Sequence, residues 1–138
     1  MSDADRLYRG LVVEHGKRPR NVGRLADATH AADGDNPLCG DALRVELRVD
    51  GERVAAVRFT GECCAIATAS ASLMTERLTG TTRDESARLA ARMEQLCATG
   101  AGAAELGDLA AFADVHRHPV RVGCALLPWR TLRDALRT

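Results

Sequence analysis

From Ala42 onward the chain alternates with a period of two: Leu43, Val45, Leu47 and Val49 are apolar, while Arg44, Glu46 and Arg48 between them are charged. That pattern predicts a half-buried strand. Asp50-Gly51 reads as a hairpin turn, and Val54 to Thr60 returns as a second strand with Ala55, Val57 and Phe59 on one face. Gly61-Glu62-Cys63-Cys64 closes it, with room for a short third strand. Elsewhere the period is helical. Leu7, Tyr8, Leu11 and Val12 predict a helix over Ala4 to His15, capped by Asp3 and ended by Gly16. Ala65 to Leu78 reads as a helix of small residues ending at Gly80. Thr82 and Glu85 have capping-box spacing, and Leu89, Met93 and Leu96 carry a helix from Arg83 to Cys97.

Three stretches interrupt these periods. Residues 24 to 35 show none and read as irregular. Thr99 to Ala104 reads as an exposed flexible loop before a short helix through Asp108 to Val115. Arg117 to Cys124 reads as extended because of Pro119 and Gly123, so the last helix is expected from Ala125 to Arg137, with Pro128 in its first turn.

Composition narrows the class. One domain over residues 1-138, with 46% hydrophobic and 28% charged residues, is an ordinary globular chain. Nineteen basic residues balance nineteen acidic ones, so no net field favours nucleic acid or a membrane surface. The start, Met1-Ser2-Asp3-Ala4-Asp5, lacks the basic-then-apolar pattern of a secretion signal, and a cytoplasmic location is expected. The basic run Lys17-Arg18-Pro19-Arg20 reads as a solvated loop or a contact for a partner protein. Five cysteines in such a chain point to metal or thiol chemistry rather than a disulfide framework.

The candidate chemistry centres on Asn36-Pro37-Leu38-Cys39-Gly40-Asp41, a turn presenting a thiol and a carboxylate two residues apart. Cys64 and Cys124 each fall at an expected helix start, where free amide donors and the helix dipole favour thiolate, so both pKa values are expected to fall. Cys39, Cys64 and Cys124 with Asp41 make a tetrahedral donor set suited to Zn2+, and the same thiolates suit an iron–sulfur cluster. Neither spacing nor a CxxC ties them together, so scattered buried cysteines acting as small hydrophobes remain the alternative on local chemistry.

Six ordered motifs go further. Tyr8-Arg9 to His15, Lys17 to Gly23, Asn36 to Asp41, Gly61-Glu62-Cys63-Cys64-Ala65-Ile66, Ala69 to Met74 and Pro119-Val120-Arg121-Val122-Gly123-Cys124 together resemble the SufU, IscU and NifU N-terminal family of iron–sulfur cluster assembly proteins, over almost the whole chain. The region from Leu96 to Leu109 resembles the insertion of the SufU branch, and Gly123 stands where IscU-type scaffolds have histidine. The resemblance implies an α+β fold: a small antiparallel sheet covered by helices, with Cys39, Asp41, Cys64 and Cys124 at one end. It implies zinc in that site and sulfur accepted from a pyridoxal-phosphate cysteine desulfurase of the SufS type. Cys39 would become the persulfide, Asp41 would hold the site, and Arg121 would stabilise negative charge or contact the desulfurase.

Two positions depart from the family pattern. Gly123 replaces a basic residue common in the SufU branch, and Cys63 replaces a glycine. Cys63 is read as a bystander, its alternatives being a ligand or a resolving thiol, and Cys97 as structural. His116 and His118 are expected to pack rather than ligate; His15 is expected as a cation at the end of its helix, and His30 has no assigned role. Leu73, Met74, Leu126 and Trp129 are expected in the core. Three functions follow: a zinc-dependent sulfurtransferase, a scaffold that assembles a [2Fe-2S] cluster for downstream scaffold or apo-acceptor proteins, and a zinc-stabilised interaction module.

Overall fold

The alternating segment becomes the middle of a sheet because both of its edges find partners. The computed structural model describes residues 3–137, the side chain of Ala4 excepted, so the expectation for Met1 and Ser2 lies outside the described residues. In it β2, Asp41–Asp50, lies between β1, His30–Asn36, and β3, Arg53–Glu62, and pairs antiparallel with each. β1 corrects the irregular reading of residues 24 to 35. His30-Ala-Ala-Asp-Gly-Asp-Asn has no hydrophobic alternation, and its strand exists because β2 offers a full ladder from His30↔Leu47 to Asn36↔Asp41.

Leu43, Val45 and Leu47 point into the core, as the period requires. On β3 the register slips by one beside Arg48 and Val49, and the buried set becomes Val54, Val57 and Phe59 rather than the expected Ala55, Val57 and Phe59. No separate third strand follows, since β3 itself runs to Glu62. Its outer edge is covered: Gly23 N–H donates to Phe59 O at 2.9 Å, in an isolated bridge between Val22 and Phe59. The opposite face of the sheet carries ion pairs, with buried Glu46 held by the Leu25 amide, Arg24 and Arg44, and Asp33 on Arg44.

Helices cover the apolar face. α2, Ala65–Leu78, packs on β3, and α4, Pro119–Leu136, packs on β1 and β2. A Cβ at Gly34 would collide with the Thr131 hydroxyl, so glycine lets α4 lie directly on β1. α1, Asp3–Lys17, packs on α2; α3, Arg83–Thr99, and a 3-10 run over Gly107–Arg117 complete the outer layer. Trp129, Phe112, Met74, Met93 and Leu126 are fully buried at the centre. The Thr82 half of the capping box forms, Glu85 N–H donating to Thr82 Oγ1 at 3.1 Å, and Gly100 ends α3 at a φ of 79°. None of the described helices is long and apolar enough to cross a membrane.

α4 corrects the expectation for residues 117–128. Pro119 opens the helix at the first position, where a missing N–H costs nothing, so Gly123 and Cys124 lie inside it and Pro128 sits mid-helix. Pro128 offers no N–H to the carbonyl of Cys124.

Candidate metal centre

The turn Pro37-Leu38-Cys39-Gly40 joins β1 to β2, so the motif is a hairpin loop clamped by the Asn36↔Asp41 pair rather than a lead-in to a first strand. Asn36 organises it from one end: its carbonyl accepts from Cys39 N–H at 3.2 Å and its Oδ1 from Leu38 N–H at 3.3 Å. Gly40 takes a φ of 72° that returns the chain to β2, and the Cys39 side chain stays half-exposed.

Three elements converge beneath the loop. Cys39 Sγ lies 3.0 Å from Cys124 Sγ, and these two with an Asp41 oxygen all lie within 4.8 Å of one another. Asp41, first residue of β2, is buried; its Oδ1 accepts from Cys64 N–H at 2.7 Å, while its Oδ2 has no hydrogen-bond partner among the described residues. Cys64 caps α2, and its Sγ accepts from Ala67 N–H at 3.4 Å. Its thiol neighbours that of Cys124 but stands outside the tight group of three. The structure thus brings together Cys39, Asp41 and Cys124, with Cys64 adjoining through both its amide and its sulfur.

Cys124 departs from its expectation. It occupies the second turn of α4, not a helix start, and its thiol pKa is pushed up, by burial first and then by the Cys39 and Cys64 thiols. A buried acid with an unpartnered oxygen, packed beside the Cys39 and Cys124 thiols, is a donor set a cation would satisfy. The residues present therefore fit a zinc ion or the iron of a cluster.

Other candidates fall elsewhere. Arg121 is exposed one helical turn before Cys124, and its guanidinium has no hydrogen bond or ion pair among the described residues. The half-buried Cys63 donates its thiol to Ala42 O at 3.5 Å, and burial, then Asp41 and Cys64, pushes its pKa up to about 11. Cys97 is fully buried in α3, its pKa pushed up to about 12 by burial and then Glu94.

The histidines differ from expectation at two positions. His15 is buried, with Nδ1 2.6 Å from Ser72 Oγ and Nε2 3.5 Å from Glu76. Burial and then Arg20 lower its pKa, against the cation expected at the end of α1. His118 is exposed at the start of α4 rather than packed, whereas His116 is half-buried with Nδ1 2.6 Å from Ala113 O. His30 opens β1 beside the Thr29 hydroxyl at 2.8 Å.

Two features of the site carried only weak signals in the sequence. Asn36 Nδ2 lies 4.0 Å from Cys124 Sγ, and a Cβ at Gly123 would come within 3.0 Å of that amide, so glycine makes room for Asn36. Leu38 and Val120 stand 87% and 61% exposed on the same depression beside the loop, an apolar pair whose sole cue was leucine amid turn residues.

Comparison with known proteins agrees with this fold. Residues 7–125 match the family described as the NifU-like N terminal domain. The "Zinc-dependent sulfurtransferase SufU" of Bacillus subtilis is 35% identical over 98% of this chain and 92% of its own length. The "Iron-sulfur cluster assembly scaffold protein IscU" of Streptococcus pyogenes is 32% identical over 99% of this chain and 87% of its own. The crystal structure of a putative iron-sulfur cluster assembly scaffold protein for the SUF system, from Fervidobacterium islandicum, superposes with a TM-score of 0.80 at 32% identity, over 91% of this chain and 93% of that one.

Proposed function

This chain belongs to the NifU-like N-terminal domain family, the iron–sulfur cluster assembly proteins of the IscU and SufU type, and from that premise we propose that it is a zinc-dependent sulfurtransferase. It accepts persulfide sulfur in the cytosol from a pyridoxal-phosphate cysteine desulfurase and hands it to cluster assembly. The observation that carries this reading is the buried, unpartnered Oδ2 of Asp41 among three thiols. Cys39, Asp41, Cys64 and Cys124 would hold the ion, which supplies positive charge that keeps the thiols deprotonated at neutral pH.

The chain's own residues divide the work by mobility. Cys124 is fixed inside α4 and Asp41 is pinned by Cys64 N–H, whereas Cys39 rides a four-residue loop and is half-exposed. Cys39 is therefore the acceptor. Its thiolate attacks the outer sulfur of the donor persulfide, the donor S–S bond breaks, the donor cysteine leaves as thiolate, and Cys39 retains the transferred sulfur. Arg121, free of any acid partner among the described residues, supplies positive charge near that step. Leu38 and Val120 offer the apolar contact on which a protein donor would seat.

The test is the metal content of the purified protein alongside desulfurase turnover with wild type and Cys39→Ala. One zinc per chain, and stimulation abolished by the substitution, is the expected result. Bound iron with inorganic sulfide, and turnover indifferent to Cys39, would overturn it in favour of the second reading, a [2Fe-2S] scaffold passing clusters to apo-acceptors, which the likeness to a protein named as a scaffold favours. Anaerobic reconstitution would then give a chromophore that transfers to an acceptor protein.

A further inference from the structure

A cleft of about 590 Å³ opens between α1, the 3-10 run of residues 107–117 and the first turns of α2 and α4. That volume is in the range of small-molecule sites. Its lining is divided. Val12, Ile66, Phe112 and Val115 give an apolar floor continuous with the core. Arg9, Arg117 and Arg121 stand on its rim, and among the described residues no hydrogen bond or ion pair holds their guanidinium groups. Asp5 and Asp114 line the same rim. Three unpaired arginines suit carboxylates, a facing aspartate suits an ammonium, and the floor suits an aliphatic body.

The cleft draws on the two helices that also carry Cys64 and Cys124. Ile66 lies two residues after Cys64, which caps α2, and Arg121 one helical turn before Cys124 in α4. We propose that this cleft binds a small zwitterionic thiol, an amino-acid-derived molecule bearing carboxylates and an ammonium group, which lifts the sulfur from Cys39. The inference rests on the sulfurtransferase reading above. The ligand's thiolate attacks the outer sulfur of the Cys39 persulfide; a new S–S bond forms, the bond to Cys39 Sγ breaks, Cys39 leaves as thiolate, and the ligand departs as a persulfide. Electrons balance without an outside oxidant or reductant.

The probe is reduced glutathione, with S-methylglutathione as a form that binds without accepting sulfur. Full-length protein is loaded with radiolabelled sulfur by a cysteine desulfurase under anaerobic conditions, and release is followed against glutathione concentration. Wild type should release sulfur with a saturable dependence that S-methylglutathione inhibits. The Arg9→Ala/Arg117→Ala double variant, changed only at exposed side chains, should load normally but release about tenfold more slowly at low glutathione, with saturation lost. Normal loading with release linear in glutathione and equal in both proteins would overturn the cleft's role. Failure of wild-type Cys39 to load would instead overturn the sulfurtransferase reading, and the transfer step with it. Binding of S-methylglutathione to wild type and not to the double variant, followed by NMR, reads the cleft independently of loading.

Discussion

Two polar clusters touch α2, and they are built on opposite principles. At His15 the buried polar groups are partnered: Ser72 Oγ accepts from Arg20 N–H at 2.8 Å and lies 2.6 Å from His15 Nδ1, His15 Nε2 faces Glu76, and Asn21 Nδ2 donates to Thr75 Oγ1 at 3.0 Å. This pins the basic loop of residues 17–23, whose Arg18 and Arg20 also pair with Glu14, against the helix. At the start of the same helix, Asp41 Oδ2 is buried with no partner among the described residues, beside the Cys39 and Cys124 thiols and with Cys64 adjoining. A complete network is architecture; an incomplete one built of thiols and a carboxylate is a donor set that a cation would complete.

The largest effect that would sharpen this contrast is Cys124→Ala. It should lower zinc affinity by more than about 100-fold, beyond what partners outside the ligand set usually cost, and abolish desulfurase stimulation while circular dichroism stays native. Retained zinc would show that the incomplete cluster is not a metal site. Chelation comes next: stripping an ion held at a hundred times its dissociation constant should cost about 2.7 kcal/mol, read as a fall in Tm that added zinc restores.

Ser72→Ala acts at the complete network. With His15 Nδ1 and the Arg20 amide both left unmatched, it should cost about 1–3 kcal/mol in urea unfolding and leave zinc content unchanged. Asp41→Asn should do the reverse, shifting the metal-free protein by less than about 1 kcal/mol, because the amide oxygen can still accept from Cys64 N–H, while zinc content falls. Equal stability losses in the two metal-free variants would erase the distinction.

The smallest effect is in pH. His15 binds its proton less readily folded than unfolded, owing to burial and Arg20 against the opposing pull of Glu76, Asp108 and Glu14. The unfolded chain therefore takes up the proton first, so stability is complete above the ordinary histidine value of about 6.5 and declines as pH falls below it. His15→Gln should flatten the slope of unfolding free energy between about pH 7 and 5 relative to wild type; an unchanged slope would show that His15 does not set it.

Much of the frame was legible because its signals are local. β2, the Asp50-Gly51 hairpin, the capped start of α3 and the bounds of α2 all follow from periods, turn residues and caps within a few positions. The motif loop was legible as a rigid presenter of Cys39 and Asp41, but not as a hairpin, because β1 has no pattern of its own and is a strand only through β2 and the close approach of α4 at Gly34. The start of α4 was hidden for a different reason. Pro119 and Gly123 read as breakers, yet one sits where a helix tolerates proline and the other where a Cβ would press on the Asn36 side chain at 3.0 Å.

The sequence by itself determined the residue types, the turn chemistry and the family, since these reside in motifs and short-range periods. Only the tertiary structure decided that Cys39 and Cys124 stand 3.0 Å apart, that Asp41 keeps one oxygen unpartnered, and that Cys124 resists ionisation where a helix start would have favoured it. Burial and distance between residues far apart in the chain are properties of packing. No period along a sequence carries them.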